Sequence, residues 1–375
     1  MIVAFTHNVA GRGAAYRAEQ LLARLPGTDR IVLYAGSPDA RARTKRTGRV
    51  EMVLSPSRLS GPLRAGWSPA EARWRIRHAT ALVDASDEAL ERVVAFDARP
   101  SVLWPARVLA RRFGVPVHAD VGDFFWYGGA ARLRRPAWAS RVFEPLEHLS
   151  TNALVRDAKS VTTVSPRLTE EVRERRSDVP CALVMNGAVI TEDVPAFADR
   201  SGEGIRIVAG GSTGYDLEYV TAVADAAARH AAGIEIVMTG KESASTAHPN
   251  IRRLGFLDDA EYDAVLLESD FALAPSSPSL ANEGRCPGRI PAFWGQGLPV
   301  LMTAVGPWVD EVREHHLGEL LPPDPDGFAD AVVDVARTRL PVSERRRIWT
   351  EARRFDWNRL AEEFARALRP ESGGR

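Results

Sequence analysis

Two kinds of residue in this chain are spaced for chemistry on a ligand that carries both negative charge and hydroxyl groups. The first is glycine with an attendant cation. Gly11-Arg12-Gly13 and Gly210-Gly211-Ser212-Thr213-Gly214 each follow a short apolar run and precede a helical pattern. Small residues there let a ligand approach the backbone, and the open N–H groups of a starting helix favour an anion. Arg12 charges the first loop, Arg285 and Arg289 flank Cys286-Pro287-Gly288 where a further helix opens, and Lys241 follows Gly240 at a strand end. No third glycine completes a dinucleotide fingerprint, so a tight strand-to-helix turn also accounts for the first loop, as a solvated loop does for the two arginines.

The second kind is the carboxylate. Asp120 and Asp123 flank Val121-Gly122 at the end of an expected strand, just before Phe124-Phe125-Trp126-Tyr127. A carboxylate in that place can hold a hydroxyl or take its proton while the rings stack on the ligand. Equally, Asp123 caps a turn and the rings fill a core. Glu283 lies in a polar loop, where a surface carboxylate is the plain alternative. His118 reads as a satisfied core histidine, and His315-His316 as cations at a helix C-terminus. Asp258-Asp259 and Asp324-Pro325-Asp326 precede helices and read as caps or turns rather than metal ligands.

Such residues need elements that bring them to one edge, and the chain supplies alternating strands and helices. Ile2–Phe5 and Ile31–Tyr34 are strands around a helix that runs to about Leu25. A helix over Pro105–Phe113 and a strand over Val115–Asp120 follow, then strand Ser160–Val164, a helix capped by Ser165, and strand Ala182–Met185. Residues 188–204, with Pro195, Ser201, Gly202 and Gly204, read as a linker. The pattern then restarts with strands Ile205–Ala209, Ile234–Met238, Ile251–Gly255 and Phe271–Ala274 and helices Leu217–His230 and Asp259–Glu268. Next come a helix opening over Gly284–Arg289 and closing at Gly297-Leu298-Pro299, strand Val300–Met302, and a last helix over Trp357–Leu368. This alternation is an α/β class of parallel sheets covered by helices. Loops at the carboxyl ends of such strands bind nucleotides and phosphates.

With 375 residues, two domains are expected. Hydrophobic and charged fractions of 45% and 26% are those of an ordinary globular protein. The formal net charge of zero hides 29 Lys and Arg against 19 Asp and Glu in residues 1–190, with the balance reversed, 20 against 30, in the rest. A basic half suits an anionic acceptor or an anionic membrane surface, or complements the acidic half. The basic, tryptophan-containing segments Arg58–His78 and Arg132–Arg141 read either as a membrane-facing patch or as solvated helix faces. No nucleic-acid-binding motif accompanies the charge, so no nucleic acid is expected. No run is long and apolar enough to span a bilayer, and Met1–Phe5 lacks a basic signal start, which predicts a cytoplasmic protein, at most peripheral at the inner membrane face. Cys181 and Cys286, far apart, form neither a disulfide framework nor a zinc site.

One stretch resembles a known family. Asp270–Pro275, Gly288-Arg289-Ile290-Pro291-Ala292-Phe293-Trp294-Gly295-Gln296-Gly297-Leu298-Pro299-Val300, Val305-Gly306-Pro307 and Gly318-Glu319-Leu320-Leu321-Pro322-Pro323 are similar in order and spacing to the donor-binding half of retaining GT-B glycosyltransferases. The resemblance implies two Rossmann-like domains facing a cleft. They are an acceptor domain over 1–190, a donor domain over 203–355, and a C-terminal helix over 356–375 that crosses back to the first domain. It implies transfer of a hexose-like sugar from a nucleotide-diphosphate sugar to a sugar-containing or anionic acceptor, with retention, and with neither metal nor cofactor. Gly11, Arg12 and Gly13 would then face donor phosphate or acceptor, with Gly211, Ser212 and Thr213 in the equivalent place in the second domain. Asp120, Asp123 and Glu283 become the catalytic candidates; Arg285, Arg289 and, less directly, Lys241 would carry the charge that meets the diphosphate, because the second glycine loop holds neither Arg nor Lys. Glu283 matches the first of two family glutamates, and Ala292 stands where the second, the ribose-binding one, belongs. That departure favours one alternative, a non-catalytic homologue serving as a binding or scaffold protein. A sugar-nucleotide epimerase of the same architecture would need a set of cleft carboxylates and histidines that the sequence does not assemble.

Overall fold

The computed structural model describes residues 1–27, 30–39, 41–56, 66–129, 136–197, 203–210, 217–230, 233–240 and 248–369. It divides into two units, Met1–Met185 with Trp357–Arg375, and Asn186–Asp356.

The first unit runs β1 (Ile2–Val9), α1 (Gly13–Ala23), β2 (Ile31–Gly36), β3 (Arg43–Thr47), β4 (Val50–Ser55), α2 (Pro69–Asp84), β5 (Arg92–Phe96), α3 (Pro100–Phe113), β6 (Val117–Val121), α4 (Ala137–Asp157), β7 (Ser160–Thr163), α5 (Pro166–Arg175) and β8 (Cys181–Leu183). The strands lie in the order β3-β4-β2-β1-β5-β6-β7-β8. All pairings are parallel except β3 with β4. Of the strands expected from the sequence, β1, β2, β6 and β7 are buried over their apolar runs, as strands covered on both faces should be, whereas β8, which runs Cys181–Leu183 instead of Ala182–Met185, is half-buried to exposed. The sequence reading missed β4 and β5, which are also largely buried. β3, Arg-Thr-Lys-Arg-Thr, carries no apolar residue and is exposed along most of its length, a charged edge strand of the kind that discourages further pairing.

Helix α3 starts five residues before the helix expected from the sequence and carries Pro105 inside it. Proline has no N–H for the carbonyl of Ser101 one turn earlier. That carbonyl instead accepts from Nη1 of Arg75, at 3.0 Å, and the same nitrogen donates to Thr6 O at 2.7 Å. Arg75 is wholly buried and pairs with Glu71, also buried, so α2 presents two charged residues inward. The last helix of the chain, Trp357–Leu368, packs Trp357, Leu360, Ala361, Phe364 and Leu368 into the core of this first unit. Their spacing is one helical stripe. Phe364 stacks on Phe96 at 5.9 Å and meets His118 edge-on at 5.2 Å.

The second unit runs β9 (Ile205–Ala209), α6 (Leu217–Arg229), β10 (Ile234–Thr239), β11 (Ile251–Gly255), α7 (Asp259–Leu267), β12 (Phe271–Leu273), α8 (Leu280–Gly284), α9 (Arg289–Gly295), β13 (Val300–Thr303), α10 (Val309–His315), β14 (Gly318–Leu321), α11 (Pro325–Val335) and α12 (Val342–Ala352); Trp357–Leu368 is thus α13. Its six parallel strands are ordered β11-β10-β9-β12-β13-β14. The single helix expected between Gly284 and Gly297 is two short ones, because Arg285 is extended and Pro287 and Gly288 interrupt the turn. Within α9, Trp294 is fully buried, donates to Leu317 O at 2.9 Å and packs against Trp308 and Phe355. Asp258 and Asp324 cap α7 and α11, the former in a reciprocal capping box with Glu261. Arg347 donates to the carbonyls of His315 and His316 at the end of α10, where His316 takes the left-handed conformation.

Candidate functional site

In each sheet the chain starts in the middle, winds to one side, then returns to build the other. The strand order reverses between β1 and β5 in the first unit and between β9 and β12 in the second. The crevice outside the carboxyl ends of those strands is where open α/β sheets hold ligands. Two groups of side chains occupy these places.

At the first switch point, β1 delivers His7 and the residue after β5 is Asp97. Both are buried, and His7 Nδ1 lies 3.6 Å from Asp97 Oδ2. That is too long for a hydrogen bond, and His7 Nδ1 has no hydrogen-bond partner among the described residues. Asp97 has φ +67°, one of two non-glycine residues with positive φ among those described. A left-handed aspartate is held by its surroundings: its N–H donates to Asp120 O at 2.9 Å, and its Oδ1 accepts from Gly122 N–H at 3.0 Å. Burial pushes the Asp97 carboxyl up to about 8 against the pull of the Gly122 N–H, and the charges of Asp123 and Asp120 add to the rise. Burial, with the positive charges of Arg99 and Arg75, holds the His7 imidazole well below its ordinary range. At neutral pH the pair is therefore a neutral carboxylic acid beside a neutral imidazole, a proton donor beside an acceptor. Arg99 closes the group, paired to buried Glu147 at 3.1 Å and lying 5.5 Å over the Phe125 ring.

Gly11 and Gly13 both have positive φ, and nothing lies within 4 Å of where a Cβ on Gly11 would point. Arg12, the N-cap of α1, is exposed. Both glycines thus serve the backbone bend; Gly11 has open space beside it, whereas a Cβ on Gly13 would stand 3.0 Å from the Asn8 side chain.

Asp120 is 1% exposed and its oxygens are taken. Arg17 of α1 grips both, Nε to Oδ1 at 3.0 Å and Nη2 to Oδ2 at 2.9 Å, and Thr162 donates to Oδ2 at 2.7 Å. The same guanidinium donates to the carbonyls of Val184 and Met185. Asp120 therefore fixes α1, β6, β7 and the end of β8 relative to one another. The rings after it are core: Phe124, Phe125 and Trp126 are buried. Asp123 is half-buried, and its Oδ1 accepts from Phe124 N–H at 2.8 Å, the turn cap. His118 bonds Ser160 and Thr162 through its two ring nitrogens at 2.8 and 2.9 Å, and burial drops its pKa to about 3.

At the second switch point, Gly210 follows the end of β9. A Cβ there would stand 2.3 Å from the Tyr262 hydroxyl and 3.1 Å from Phe293, so only glycine fits. Arg289, the first residue of α9, donates to Gly210 O at 3.2 Å. Arg285 is half-buried and Glu283 exposed, both on the α8-to-α9 segment. That segment is anchored at several points. Ser279 caps α8 through Asn282 N–H, Asn186 donates to Cys286 O, and Trp308 donates to Pro287 O at 3.1 Å. The loops beneath are tied by Thr303, whose hydroxyl accepts from Ser276 N–H and donates to Ser276 O. Ala292 is half-buried on α9 between buried Pro291 and Phe293. Gly211, Ser212, Thr213 and Lys241 lie outside the described residues.

The structure thus gathers Glu283, Arg285 and Arg289 on one braced segment of the second unit, and Asp120 and Asp123 at one sheet edge of the first. Sequence reading missed His7, Asp97 and Arg99. The available signal was a polar residue ending each of two apolar strand runs, Phe5-Thr6-His7 and Ala95-Phe96-Asp97.

No family model matches the chain, and no curated protein matches it in sequence. Solved structures do match over its whole length. Sucrose-phosphate synthase from Thermosynechococcus elongatus aligns at TM-score 0.68 and 16% identity over 98% of each chain. WaaG, a glycosyltransferase involved in lipopolysaccharide biosynthesis, aligns at TM-score 0.69 and 14% identity over 100% of each. Anabaena HepE, solved with UDP and glucose, aligns at TM-score 0.65 and 14% identity over 98% of this chain and 99% of that one. With two parallel-sheet units, each wound out from its first strand, the chain has the GT-B glycosyltransferase fold.

Proposed function

We propose that the chain is a glycosyltransferase. The second unit holds a nucleotide-diphosphate sugar and the first holds the hydroxyl-bearing acceptor. The observation that carries this reading is the pair of switch points with opposite chemistry: arginines and glycine at one, a buried carboxyl 3.6 Å from a buried imidazole at the other. The binding of UDP and glucose by HepE, a match of the same fold, supports a nucleotide-sugar donor.

In this reading the bond between the anomeric carbon and the diphosphate breaks, its electron pair leaves with the diphosphate, and the acceptor oxygen bonds to the carbon. Arg289 and Arg285 stabilise the charge that develops on the leaving group, the dominant kind of term for such a departure. His7 and Asp97 position the acceptor by hydrogen bonds to its hydroxyls. Asp123, half-buried at the same edge, is the carboxylate placed to take the proton, and Asp120 is a positioning residue. Glu283 meets the donor sugar. The sequence resemblance supports retention and a reaction without a metal.

The test is a thermal-shift and turnover screen of the purified chain against UDP, GDP and ADP and their sugar conjugates, with Arg289→Ala alongside. A bound ligand at about 100 times its dissociation constant adds about 2.7 kcal/mol of stability. A shift with one base, weakened about tenfold to a hundredfold by Arg289→Ala, together with release of the free nucleoside diphosphate, is expected. Binding without turnover would favour the non-catalytic homologue that Ala292 suggests; no shift with any nucleotide would overturn the reading.

A further inference from the structure

We propose that the outward face of α4 docks on an anionic lipid surface. This helix spans 21 residues, Ala137–Asp157, and turns Ala139, Glu147, Thr151, Leu154 and Val155 inward. On the other side Trp138, Val142, Leu146 and Leu149 are 68%, 54%, 42% and 64% exposed. Spaced at i, i+4, i+8 and i+11, they fall within about a quarter of the helix circumference and form a stripe roughly 17 Å long. Isolated exposed apolar residues are ordinary, whereas four in one stripe, with Trp at its head, mark an interaction face.

Charge decides the occupant. The other exposed residues of that face are Ala137, Pro145, Arg141 and Arg156, and it holds no exposed carboxylate. Glu147 is buried against Arg99; Asp157 is paired with Arg107 and also lies 3.7 Å from Arg156; Glu144 is half-buried. The adjoining α3, joined to α4 through Arg107 and Ala153 O, exposes Trp104 and Val108 and ends in Arg111 and Arg112. A face that is apolar along its axis and cationic beside it matches a monolayer whose acyl boundary takes the apolar side chains and whose phosphates take the arginines. The excess of Lys and Arg over Asp and Glu in residues 1–190 adds the long-range attraction. Among the described residues no helix is long and apolar enough to cross a membrane, so the contact is interfacial.

The test is co-sedimentation of the full chain with vesicles of phosphatidylcholine and phosphatidylglycerol in a two-to-one ratio, against phosphatidylcholine alone. The chain should pellet with the anionic vesicles and stay in solution with the neutral ones, and added salt should release it. Trp138→Ser/Leu149→Ser and, separately, Arg141→Glu should each lower partitioning roughly tenfold with the melting temperature unchanged, because all three side chains are exposed. Failure of the native chain to pellet with anionic vesicles, or pelleting of the double variant like the native chain, would overturn the proposal. A dimer in light scattering that Leu149→Ser dissolves would also overturn it, in favour of a second copy on this face. Neither outcome depends on nucleotide binding, which is measured separately.

Discussion

The switch point of the first unit is built from titratable groups withdrawn from water, and that of the second from backbone and arginine. In the first, Asp97 is 4% exposed, in the left-handed region, and fixed by the backbone of Asp120 and Gly122. In the second, a glycine carbonyl meets Arg289, and the charged side chains Glu283, Arg285 and Arg289 on the segment are half-buried or exposed. The contrast matches the ligands proposed for the two units. A departing diphosphate develops charge and calls for permanent cations and close backbone approach. A hydroxyl does not, and is best held by neutral groups that both donate and accept. Burial supplies neutrality by moving the acid up and the imidazole down.

The comparison breaks first at the scaffold of the acidic edge. Asp120→Ala leaves the Arg17 guanidinium buried without its carboxylate, a change that costs about 3–5 kcal/mol. Urea denaturation should show that loss. A loss below about 1 kcal/mol would mean that Asp120 is not the anchor described, and would return it to the list of candidates for direct contact with a ligand. On the opposite side, Gly210→Ala forces a Cβ against the Tyr262 hydroxyl 2.3 Å away and against Phe293, and overpacking of that kind costs about 1–3 kcal/mol. Adding Tyr262→Phe removes the nearer clash and should restore part of the stability. A Gly210→Ala variant as stable as the native chain would show that the end of β9 is not constrained.

Asp97→Asn sharpens the comparison through pH. Below about pH 4 the carboxyl is protonated in both folded and unfolded chains, so it contributes no difference. As pH rises, the unfolded chain releases that proton first, because burial holds the folded group up to about 8. The native chain therefore loses stability between those values, and asparagine, which tolerates the left-handed conformation and can still accept from Gly122, does not. His7 acts in the opposite sense. Its folded pKa is lowered, so its contribution is complete above about pH 6.5 and is lost as pH falls and the unfolded imidazole takes up a proton. Melting temperatures should show Asp97→Asn several degrees above the native chain at pH 8 and level with it near pH 4. Parallel curves across that range would mean that Asp97 ionises normally and that Asp120, Asp123, Arg99 and His7 leave it hydrated.

The same contrast governs what could be read from the sequence. The bounds of β9, β11 and α13 agree residue for residue with the expected ones; β9 is a short, largely buried apolar run and α13 a single apolar stripe, while β11 buries only Ile251. Helix α2 was legible only as a basic segment, since its inward face carries Glu71 and Arg75, whose mutual pairing permits burial that no pattern of apolar residues announces. β3 has no apolar residue to alternate and takes its place from β4 alone. In the second unit the arginines stand beside glycine and proline in a recognisable order, so Arg289 could be singled out from the sequence. Asp97 owes its interest to a backbone angle, a neighbour 25 residues away and the exclusion of water, all of which exist only after folding.

The smallest and most pointed change is Ala292→Glu. Alignment on Gly297-Leu298-Pro299-Val300 puts residue 292 where the resembled enzymes bond ribose, and here the position offers a methyl group, half-buried on α9. In that register the added carboxylate is expected to accept from the ribose hydroxyls of a nucleoside diphosphate. One such charge-assisted bond contributes about 1.5 kcal/mol, roughly tenfold in affinity. The same variant tested with the 2′,3′-dideoxy nucleotide should gain nothing, because no hydroxyl remains to donate. Titration calorimetry on both nucleotides separates the outcomes. A gain confined to the ribose-bearing ligand places residue 292 at the donor and shows that this chain binds it without the usual carboxylate. An equal gain on both ligands, or none, would detach Ala292 from the donor and leave Glu283, Arg285, Arg289 and Gly210 to mark that site.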